Sequence, residues 1–234
     1  MKIGLGMDTG GTYTDAVIMD LDTGKVLDKA KSMTTREDLC IGIRGAIEGI
    51  GEEYLRDVTV VALSSTLATN SVVEGKGCRV GLVCIGGDYN RAVNADYSVR
   101  VAGGHDYHGD PNEPLDVDAV RGFLESVRGR IDGLAVSGYL SIRNPEHEDA
   151  VREMAKDILG VPVVCGHELS SSLGFSERTT TCIMNSRLIP VMDGLIRSVE
   201  AVLGEKGVHA PLMIFRGDGT MMSGAVARER PVET

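Results

Sequence analysis

The sequence contains no tryptophan and only three phenylalanines in 234 residues. Its core must therefore be built from aliphatic side chains, with ten methionines as adaptable filler. Lysine and arginine form no basic block, and acidic residues outnumber basic ones by 34 to 24, which gives a net charge of −10. Proteins that bind nucleic acid need clustered cations to neutralise phosphates, so no nucleic-acid partner is expected.

Cysteine pairs and long apolar runs are also absent. The five cysteines include no C-x-x-C pair and are odd in number, which argues against a disulfide scaffold or zinc knuckle and is typical of a reducing compartment. The N-terminus lacks the apolar region of a signal peptide, and no apolar run reaches the length that crosses a bilayer. We expect a cytoplasmic protein without a membrane partner, with one large or two modest globular domains.

The stretch around Asp8 carries the most information. An apolar, strand-like run leads to Asp8, polar residues and glycines follow, and a strand-like pattern resumes at Tyr13, which predicts a β-hairpin with a polar tip. Glycine permits positive φ and close backbone approach, so N–H groups at the tip could converge on a phosphate, with Asp8 holding a hydrated Mg²⁺. An ordinary glycine-glycine turn is the alternative. The candidate phosphate-binding residues are Asp8, Thr9, Gly10, Gly11, Thr12 and Thr14.

The elements that follow predict a mixed sheet. Residues 26–32 read as the third strand of an antiparallel meander, and an amphipathic helix with Thr35 as its N-cap comes next. Residues 58–63 form a continuous apolar run, as expected of a buried parallel strand. Three antiparallel strands, a crossover helix and a parallel fourth strand make a mixed α/β sheet.

A polar segment at residues 64–77 follows that buried strand directly. Ligands of open α/β sheets bind at the carboxyl ends of strands, so Thr66 and Asn70 are candidate contacts for a substrate that faces the phosphate loop. The alternative is a helix start capped by Ser65 or Thr66, with Asn70 merely solvated.

A second α/β layer is predicted further along the chain. Helix and strand patterns alternate over residues 115–165, which indicates parallel strands with helices packed on them. His147 lies at the predicted start of one of these helices and reads as a surface residue or a local cap.

The glycine-rich loop before this layer raises the question of a metal site. It contains His105, Asp106, His108 and Asp110, and these ligand types suit Zn²⁺, Fe²⁺ or Mn²⁺. The other interpretation is that they form turns and face water.

A long helix is predicted from Ser176 towards Leu203, with a kink at Pro190. Arg178, Thr181 and Asn185 share one face of it because they lie at i, i+3 and i+7. Polar stripes of this kind are normally solvated, and ligand contact is the alternative.

These runs together resemble one family. Residues 4–15 resemble the first phosphate motif of the actin, sugar-kinase and Hsp70 ATPase superfamily. Three further runs resemble the N-terminal portion of the hydantoinase A subunit and 5-oxoprolinase family, which includes acetone-carboxylase subunits. They are S-T-L-A-T-N-S-V-V-E-G-K-G at residues 65–77, N-P-E-H-E at 144–148 and E-R-T-T-T-C-I-M-N-S-R-L-I-P-V-M at 177–192. The resemblance covers essentially the whole chain.

The resemblance implies an α/β fold. We expect an actin-like ATPase (ribonuclease H-like) first domain with a mixed β-sheet and flanking helices, plus an inserted or second α/β layer. The family's N-terminal domain would span residues 1–165, and residues 166–234 would begin its main domain. The second phosphate motif and the adenosine site of the family would lie beyond Thr234. The chain is therefore expected to be incomplete relative to the family, as an expressed fragment or a short gene product, and inactive alone.

The activity implied by the resemblance is ATP-dependent hydrolysis of a cyclic amide through phosphorylation of its carbonyl, with ATP and Mg²⁺. Asp8, Thr66 and Arg178 would be catalytic, with Asp8 also holding the metal, and Asn70 and Asn185 would contact the substrate. The implied partners are a small cyclic-amide substrate and a hydantoinase B-type subunit, with a homo-oligomer as a further option. The alternatives are an actin-like small-molecule kinase, an acetone-carboxylase-type subunit and a non-catalytic interaction remnant.

Overall fold

A computed structural model describes residues 2–35, 38–90 and 93–234 of the chain. The chain divides into two compact units, the first made of Met1–Lys76 and Pro190–Thr234 and the second of Gly77–Ile189. The second unit is thus an insertion in the sequence of the first. Within the described ranges, no helix combines the length and the apolar character that a membrane span requires.

The first unit is built on a six-stranded sheet of order β10-β9-β4-β1-β2-β3. The first three strands form an antiparallel meander, whereas β4 pairs in parallel with both β1 and β9. This arrangement confirms the mixed sheet predicted from the sequence. The strands are β1 (Ile3–Thr9), β2 (Tyr13–Asp20), β3 (Lys25–Met33), β4 (Val58–Ser65), β9 (Leu212–Phe215) and β10 (Met221–Ser223).

Helices flank this sheet, and the first of them begins later than predicted. Helix α1 (Leu39–Glu48) has Asp38 as its N-cap, because the Asp38 side chain accepts a hydrogen bond from the Cys40 N–H; the predicted N-cap, Thr35, is wrong. Ile43 and Ile47 are buried, so the apolar stripe does face the core. The other helices of this unit are α2 (Glu52–Leu55), α3 (Leu67–Val73), the second part of α7 (Phe175–Glu205), α8 (Gly224–Glu229) and a 3₁₀ turn (Pro231–Glu233).

The second unit has a four-stranded parallel sheet of order β6-β5-β7-β8, which confirms the inserted α/β layer. Alternate residues of β5 pack into separate cores: Val83 and Ile85 into one, Leu82 and Cys84 into the other. Strand β6 was not predicted, because its alternating exposure gives it no apolar run. The elements are β5 (Val80–Ile85), β6 (Tyr97–Val101), β7 (Gly133–Gly138), β8 (Val163–Cys165), α4 (Val117–Val127), α5 (Glu146–Ile158), α6 (Gly166–Leu169) and the first part of α7.

Helix α7 is a single helix that continues through Pro190. The boundary between the two compact units falls at this proline, between Ile189 and Pro190. The predicted helix is confirmed, and it begins at Phe175 and ends at Glu205.

Two glycines of the second unit with positive φ provide a matched stability test. Gly86 (φ +68°) follows β5, and a Cβ there would clash with the carbonyl oxygen of Gly103; Gly160 (φ +66°) follows α5 and has open space around it. Gly160→Ala is expected to cost only the left-handed backbone penalty of about 1–2 kcal/mol. Gly86→Ala is expected to cost about 1–3 kcal/mol more, because a neighbouring backbone must move.

The measurement is the free energy of unfolding from urea titrations of both variants. An equal loss of unfolding free energy in the two variants would show that the segments after β5 and β6 do not pack as closely as described.

Candidate functional site

The first unit contains a cavity of about 410 Å³ at the tip of the β1–β2 hairpin. This volume lies within the range of small-molecule sites, about 300–1,000 Å³. The wall is formed by the hairpin tip, the start of α1, helix α3 and the second part of α7. The residues that line it are Thr9, Gly10, Gly11, Thr34, Asp38, Leu39, Leu67, Asn70, Ser71, Glu74, Lys76, Val191, Gly194, Leu195 and Ser198.

The hairpin tip is fixed by hydrogen bonds to its neighbours. The N–H of Gly10 donates to the carbonyl oxygen of Tyr13 (3.0 Å), and that of Thr34 donates to the carbonyl oxygen of Thr12 (2.9 Å). From β4, the Ser65 hydroxyl donates to the carbonyl oxygen of Thr9 (3.0 Å). The predicted hairpin is therefore confirmed, and its tip is tied to the strand on either side.

The two glycines of the hairpin tip do not adopt positive φ. Gly10 and Gly11 are not among the glycines with positive φ, so that part of the sequence interpretation is wrong. Gly10 is instead favoured by close packing, since a Cβ there would lie 3.3 Å from the carbonyl oxygen of Tyr13. Both glycines line the cavity with backbone alone, because neither has a side chain.

Thr9 carries a polar atom without a partner. Its side chain is only 2% exposed, and its Oγ1 makes no hydrogen bond in the described structure. A buried hydroxyl left unpaired costs about 1–3 kcal/mol, so such groups indicate a ligand or a functional role. Thr14 differs, because its hydroxyl is hydrogen-bonded to that of Thr34 at 3.0 Å.

Asp8 and Thr12 lie at the same tip but outside the cavity wall. Asp8 is the strand neighbour of Thr9, and successive side chains of a strand point to opposite faces of the sheet. Asp8 is accordingly exposed at the carboxyl end of β1, as Thr12 is in the loop. The structure thus gives the tip one buried hydroxyl on one face and one exposed carboxylate on the other.

Helix α3 brings Asn70 to the cavity. Thr66 is at the N-cap position but makes no capping hydrogen bond; the Ser65 hydroxyl instead accepts from the N–H of Leu67 (3.1 Å). The Asn70 amide nitrogen donates to the Thr66 hydroxyl (3.2 Å). Asn70, Gly10 and Gly11 therefore line one cavity, whereas Thr66 is exposed beside it.

Charge in this cavity is nearly balanced. Lys76 forms an ion pair with Glu74 (Nζ to Oε2, 2.5 Å); the Lys76 side chain is 65% exposed and the Glu74 side chain 36%. Asp38 is engaged as the N-cap of α1. Helix α7 contributes the apolar Val191 and Leu195 to the lining.

Arg178 and Asn185 belong to the second unit and are fully buried there, so the solvated-face interpretation is wrong for both. The guanidinium of Arg178 donates to the carbonyl oxygens of Gly138 (2.9 Å) and Ser172 (2.8 Å). Its Nε has no hydrogen-bond partner in the described structure. Thr181, on the same face, donates its hydroxyl to the carbonyl oxygen of Glu177.

Arg178 lies near a buried carboxylate that sequence reasoning missed. Glu148 is 0% exposed, and its Oε1 accepts from the N–H of Gly138 (2.6 Å) while its Oε2 accepts from the N–H (3.0 Å) and Nδ1 (2.5 Å) of His167. A Cβ on Gly166 would lie 3.3 Å from both the Arg178 side chain and Glu148 Oε1. This buried charge cluster, Glu148, His167 and Arg178, joins α5, α6 and α7 within the second unit.

A metal ion does not suit this cluster. Glu148, Cys165 and His167 have ligand atoms within 4.8 Å of one another. Both oxygens of Glu148 already accept hydrogen bonds, however, and burial raises the pKa of the Cys165 thiol, which keeps it protonated. The cluster is better explained as a satisfied ionic network.

The metal interpretation of the histidine loop is not supported either. Asp106 accepts hydrogen bonds from the N–H groups of His108 (2.8 Å) and Asp110 (3.1 Å), which is the turn-forming role. His105 does not face water, which differs from the sequence interpretation. It is buried and stacks on His147 with 4.4 Å between ring centroids.

His147 is also not the surface residue that was predicted. It accepts a hydrogen bond from the N–H of Gly104 at Nδ1 (3.0 Å), and burial lowers its pKa. The sequence carried no signal for this pairing, because Gly104 is 43 residues away.

The sheet order of the first unit, with a polar hairpin tip at the end of its first two strands, defines an actin-like ATPase-type domain, here interrupted by an α/β insertion. The family models described as the hydantoinase/oxoprolinase N-terminal region and as hydantoinase/oxoprolinase match residues 4–159 and 178–234. The chain belongs to the hydantoinase/oxoprolinase family.

Individual relatives agree with this. The chain is 30% identical to the caprolactamase subunit alpha of Pseudomonas jessenii over 97% of its length, and 29% identical to the acetophenone carboxylase gamma subunit of Aromatoleum aromaticum over 92%. It spans 37% and 35% of those two proteins. The chain is also similar to the crystal structure of the ATP-dependent caprolactamase from P. jessenii, with a TM-score of 0.80 and 28% identity. The match covers 98% of this chain and 38% of the caprolactamase chain.

The buried charge cluster predicts a pH dependence of stability. The hydrogen bond that His167 donates to Glu148 raises the pKa of His167 above its unfolded value of about 6.5. The stabilisation is therefore complete below that unfolded pKa and is lost as the pH rises through the folded one. Urea unfolding between pH 5.5 and pH 9 should show wild type losing its advantage over His167→Gln as the pH rises.

The exposed His209→Gln variant serves as the control and should follow the wild-type profile. If the free energies of unfolding of wild type and His167→Gln changed in parallel with pH, the hydrogen bond to Glu148 would not raise the pKa of His167.

Proposed function

We propose that this chain provides the phosphate-binding hairpin of an ATP-dependent enzyme that activates the carbonyl of a small cyclic amide by phosphorylation and so opens the ring. The observation that carries the proposal is the buried, unpartnered hydroxyl of Thr9 beside Gly10 and Gly11 in a cavity that also contains Asn70. Family membership and the similarity to a protein named caprolactamase support it.

The residues at the tip fit ATP and Mg²⁺. The unpaired Thr9 hydroxyl would donate to a phosphate oxygen in the cavity. The exposed Asp8 carboxylate is a ligand type that Mg²⁺ accepts, directly or through water, and it would hold the ion on the other face of the tip, outside that cavity. ATP would supply the phosphoryl group that converts an amide oxygen into a good leaving group. Thr12 is exposed and available for a further contact, whereas Thr14 would hold Thr34 in place.

The amide must be held close to the tip for transfer to occur, and positioning accounts for most of the catalysis of phosphoryl transfer. Asn70, supported by Thr66, would orient the acceptor. The bond from the γ-phosphorus to the β–γ bridging oxygen breaks and a bond to the amide oxygen forms. In sum, lactam, ATP and two water molecules become amino acid, ADP and orthophosphate.

Arg178 and Asn185 are assigned a positioning role instead of direct contact. Both are buried in the second unit, and Arg178 already donates to main-chain carbonyl oxygens on either side. We infer that Arg178 orders the region around the start of α7, through its hydrogen bonds to Gly138 and Ser172.

A second candidate is a carboxylase-type or kinase-type reaction, in which the phosphorylated acceptor is released or passed on. The 29% identity to a protein named acetophenone carboxylase gamma subunit supports this second candidate reaction. Because both relatives carry subunit names, we also propose a partner subunit of the hydantoinase B type.

The natural full-length protein, assayed with its partner subunit and Mg-ATP, separates these reactions. Phosphorus NMR and product analysis with hydantoin, 5-oxoproline and acetone should show a ring-opened acid together with orthophosphate. Release of a phosphorylated organic product would favour a kinase, and a carboxylated ketone would favour a carboxylase. A stable partner complex without nucleotide turnover would overturn the proposal in favour of an interaction module.

Thr9→Val tests the hairpin directly, because valine keeps the shape and removes the unpaired hydroxyl. Unfolding free energy should rise by about 1 kcal/mol, since an unsatisfied buried group is lost. The kcat/KM for Mg-ATP should fall about tenfold or more, as hydrogen bonds to charged groups contribute about 1.5–3 kcal/mol. Chemical denaturation and steady-state kinetics measure the two effects.

Thr14→Val is the contrasting variant. Its hydroxyl is paired with Thr34, so it should lose about 1 kcal/mol of stability. A destabilised Thr9→Val would mean that the Thr9 hydroxyl is structural and not a ligand contact.

A further inference from the structure

The phosphates assigned to the hairpin tip require positive charge that the tip itself does not carry. Residues 8–14 contain one carboxylate, that of Asp8, and no lysine, arginine or histidine. A magnesium ion held by Asp8 would lie on the other face of the tip, outside the cavity. Catalysis of phosphoryl transfer depends largely on cations placed against the phosphate oxygens. A cation on another part of the cavity wall is therefore expected.

Lys76 provides a cation at this wall. It is the one basic residue among the described residues that line the cavity, where two carboxylates, Asp38 and Glu74, also lie. The Asp38 carboxylate accepts the N–H of Cys40 as the N-cap of α1. Without Lys76, the charged groups of the wall would be carboxylates alone, and like charges placed together raise the free energy of binding a phosphate.

The end of helix α3 fixes the main chain of Lys76 at the cavity. Gly75 adopts φ +63°, its N–H donates to the carbonyl oxygen of Val72 (3.1 Å), and the N–H of Lys76 donates to the carbonyl oxygen of Ser71 (2.8 Å). These two hydrogen bonds form a Schellman motif, in which a glycine supplies the left-handed residue that ends a helix. The sequence Glu-Gly-Lys at 74–76 therefore determines where the Lys76 side chain begins.

The ammonium of Lys76 is held weakly enough to change partners. Its ion pair with Glu74 is the one side-chain contact of this kind that Lys76 makes within the described residues. Exposed ion pairs contribute little to stability, and an ammonium on a flexible four-carbon stem has three donors. A charge-assisted hydrogen bond to a phosphate in the cavity is stronger than such a pair. A phosphate can therefore take the ammonium from Glu74.

We propose that Lys76 is a catalytic residue whose ammonium contacts the phosphate oxygens at Thr9, Gly10 and Gly11 and neutralises their charge during transfer. The inference rests on the proposed function and adds a residue to it. No bond to Lys76 forms or breaks: the ammonium keeps its three protons and exchanges the Glu74 carboxylate for phosphate oxygens. Glu74 holds the ammonium at the cavity before nucleotide binds.

Lys76→Gln tests the contact in the natural full-length protein with its partner subunit. Calorimetric titration with Mg-ATP, without an amide, should give a Kd about tenfold or more above that of wild type, because a hydrogen bond between charged groups is lost. The kcat for ADP formation should fall as well. Lys76→Arg keeps the charge and should stay within about threefold of wild type in both quantities. An unchanged Kd and kcat in Lys76→Gln would overturn the inference.

Lys156→Gln is the matched control. Lys156 forms an exposed ion pair with Glu153 (2.6 Å), and neither of these residues lines the cavity. This variant should bind Mg-ATP as wild type does, and the midpoint of urea unfolding should be unchanged in both glutamine variants. An equal loss of Mg-ATP binding in Lys76→Gln and Lys156→Gln would reflect net charge instead of a contact, and would overturn the inference.

Glu74→Gln tests the exchange of partners. It removes one carboxylate from the cavity wall and releases Lys76 from its ion pair. The Kd for Mg-ATP should fall at least about threefold, a modest effect because the pair is exposed. A Kd that is unchanged or higher would show that phosphate does not compete with Glu74 for the ammonium.

Thr9→Val separates this inference from the proposed function. If Thr9→Val weakens Mg-ATP binding and Lys76→Gln does not, the hairpin binds phosphate without Lys76, and only the inference fails. If the wild-type protein binds no Mg-ATP, the proposed function fails, and titration with magnesium pyrophosphate decides the contact separately. Pyrophosphate binding that is lost in Lys76→Gln and kept in Lys156→Gln would still support the contact. Equal binding by these two variants, or none by wild type, would overturn it.

Discussion

The parallel pairing of β1 with β4 is the constraint on which the candidate site depends. Its register places Thr9 beside Ser65, and the Ser65 hydroxyl binds the carbonyl oxygen of Thr9 while accepting the N–H of Leu67. One side chain therefore joins the hairpin tip to the start of α3. Because strand ends and helix starts are fixed together, Asn70 lies at the same cavity as the glycine loop although about 60 residues separate them in sequence.

The second unit depends on a different interaction, a carboxylate without any exposure to water. Glu148 accepts hydrogen bonds on both oxygens. Burial lowers the pKa of the nearby Arg178 guanidinium, and the charge of Glu148 opposes that effect. Breaking a buried ion pair by removing one partner typically costs about 3–5 kcal/mol. The cluster thus accounts for the burial of Arg178 on the inner face of α7, where aliphatic packing is the usual solution.

Much of the fold and part of the site were predictable, because both arise from local patterns. The meander, the buried strand β4 and the long helix follow from apolar periodicity. Edge strand β6 was missed because only one of its residues is buried. The burial of His147, Glu148 and Arg178 was missed for another reason: their partners are supplied by distant segments, and residue type alone indicates exposure for such side chains.

The sequence by itself determined the order of elements, the polar hairpin tip and the family, because each depends on residues that are adjacent in the sequence. Only the tertiary structure decided which hydroxyl at the tip is unpaired, which of the polar residues share a cavity, and which lie in a buried ionic network. Those outcomes depend on strand register and on contacts between segments that lie far apart in the chain. Alternation along β1 buries Thr9 and exposes Asp8, and strand pairing sets the face on which each one lies.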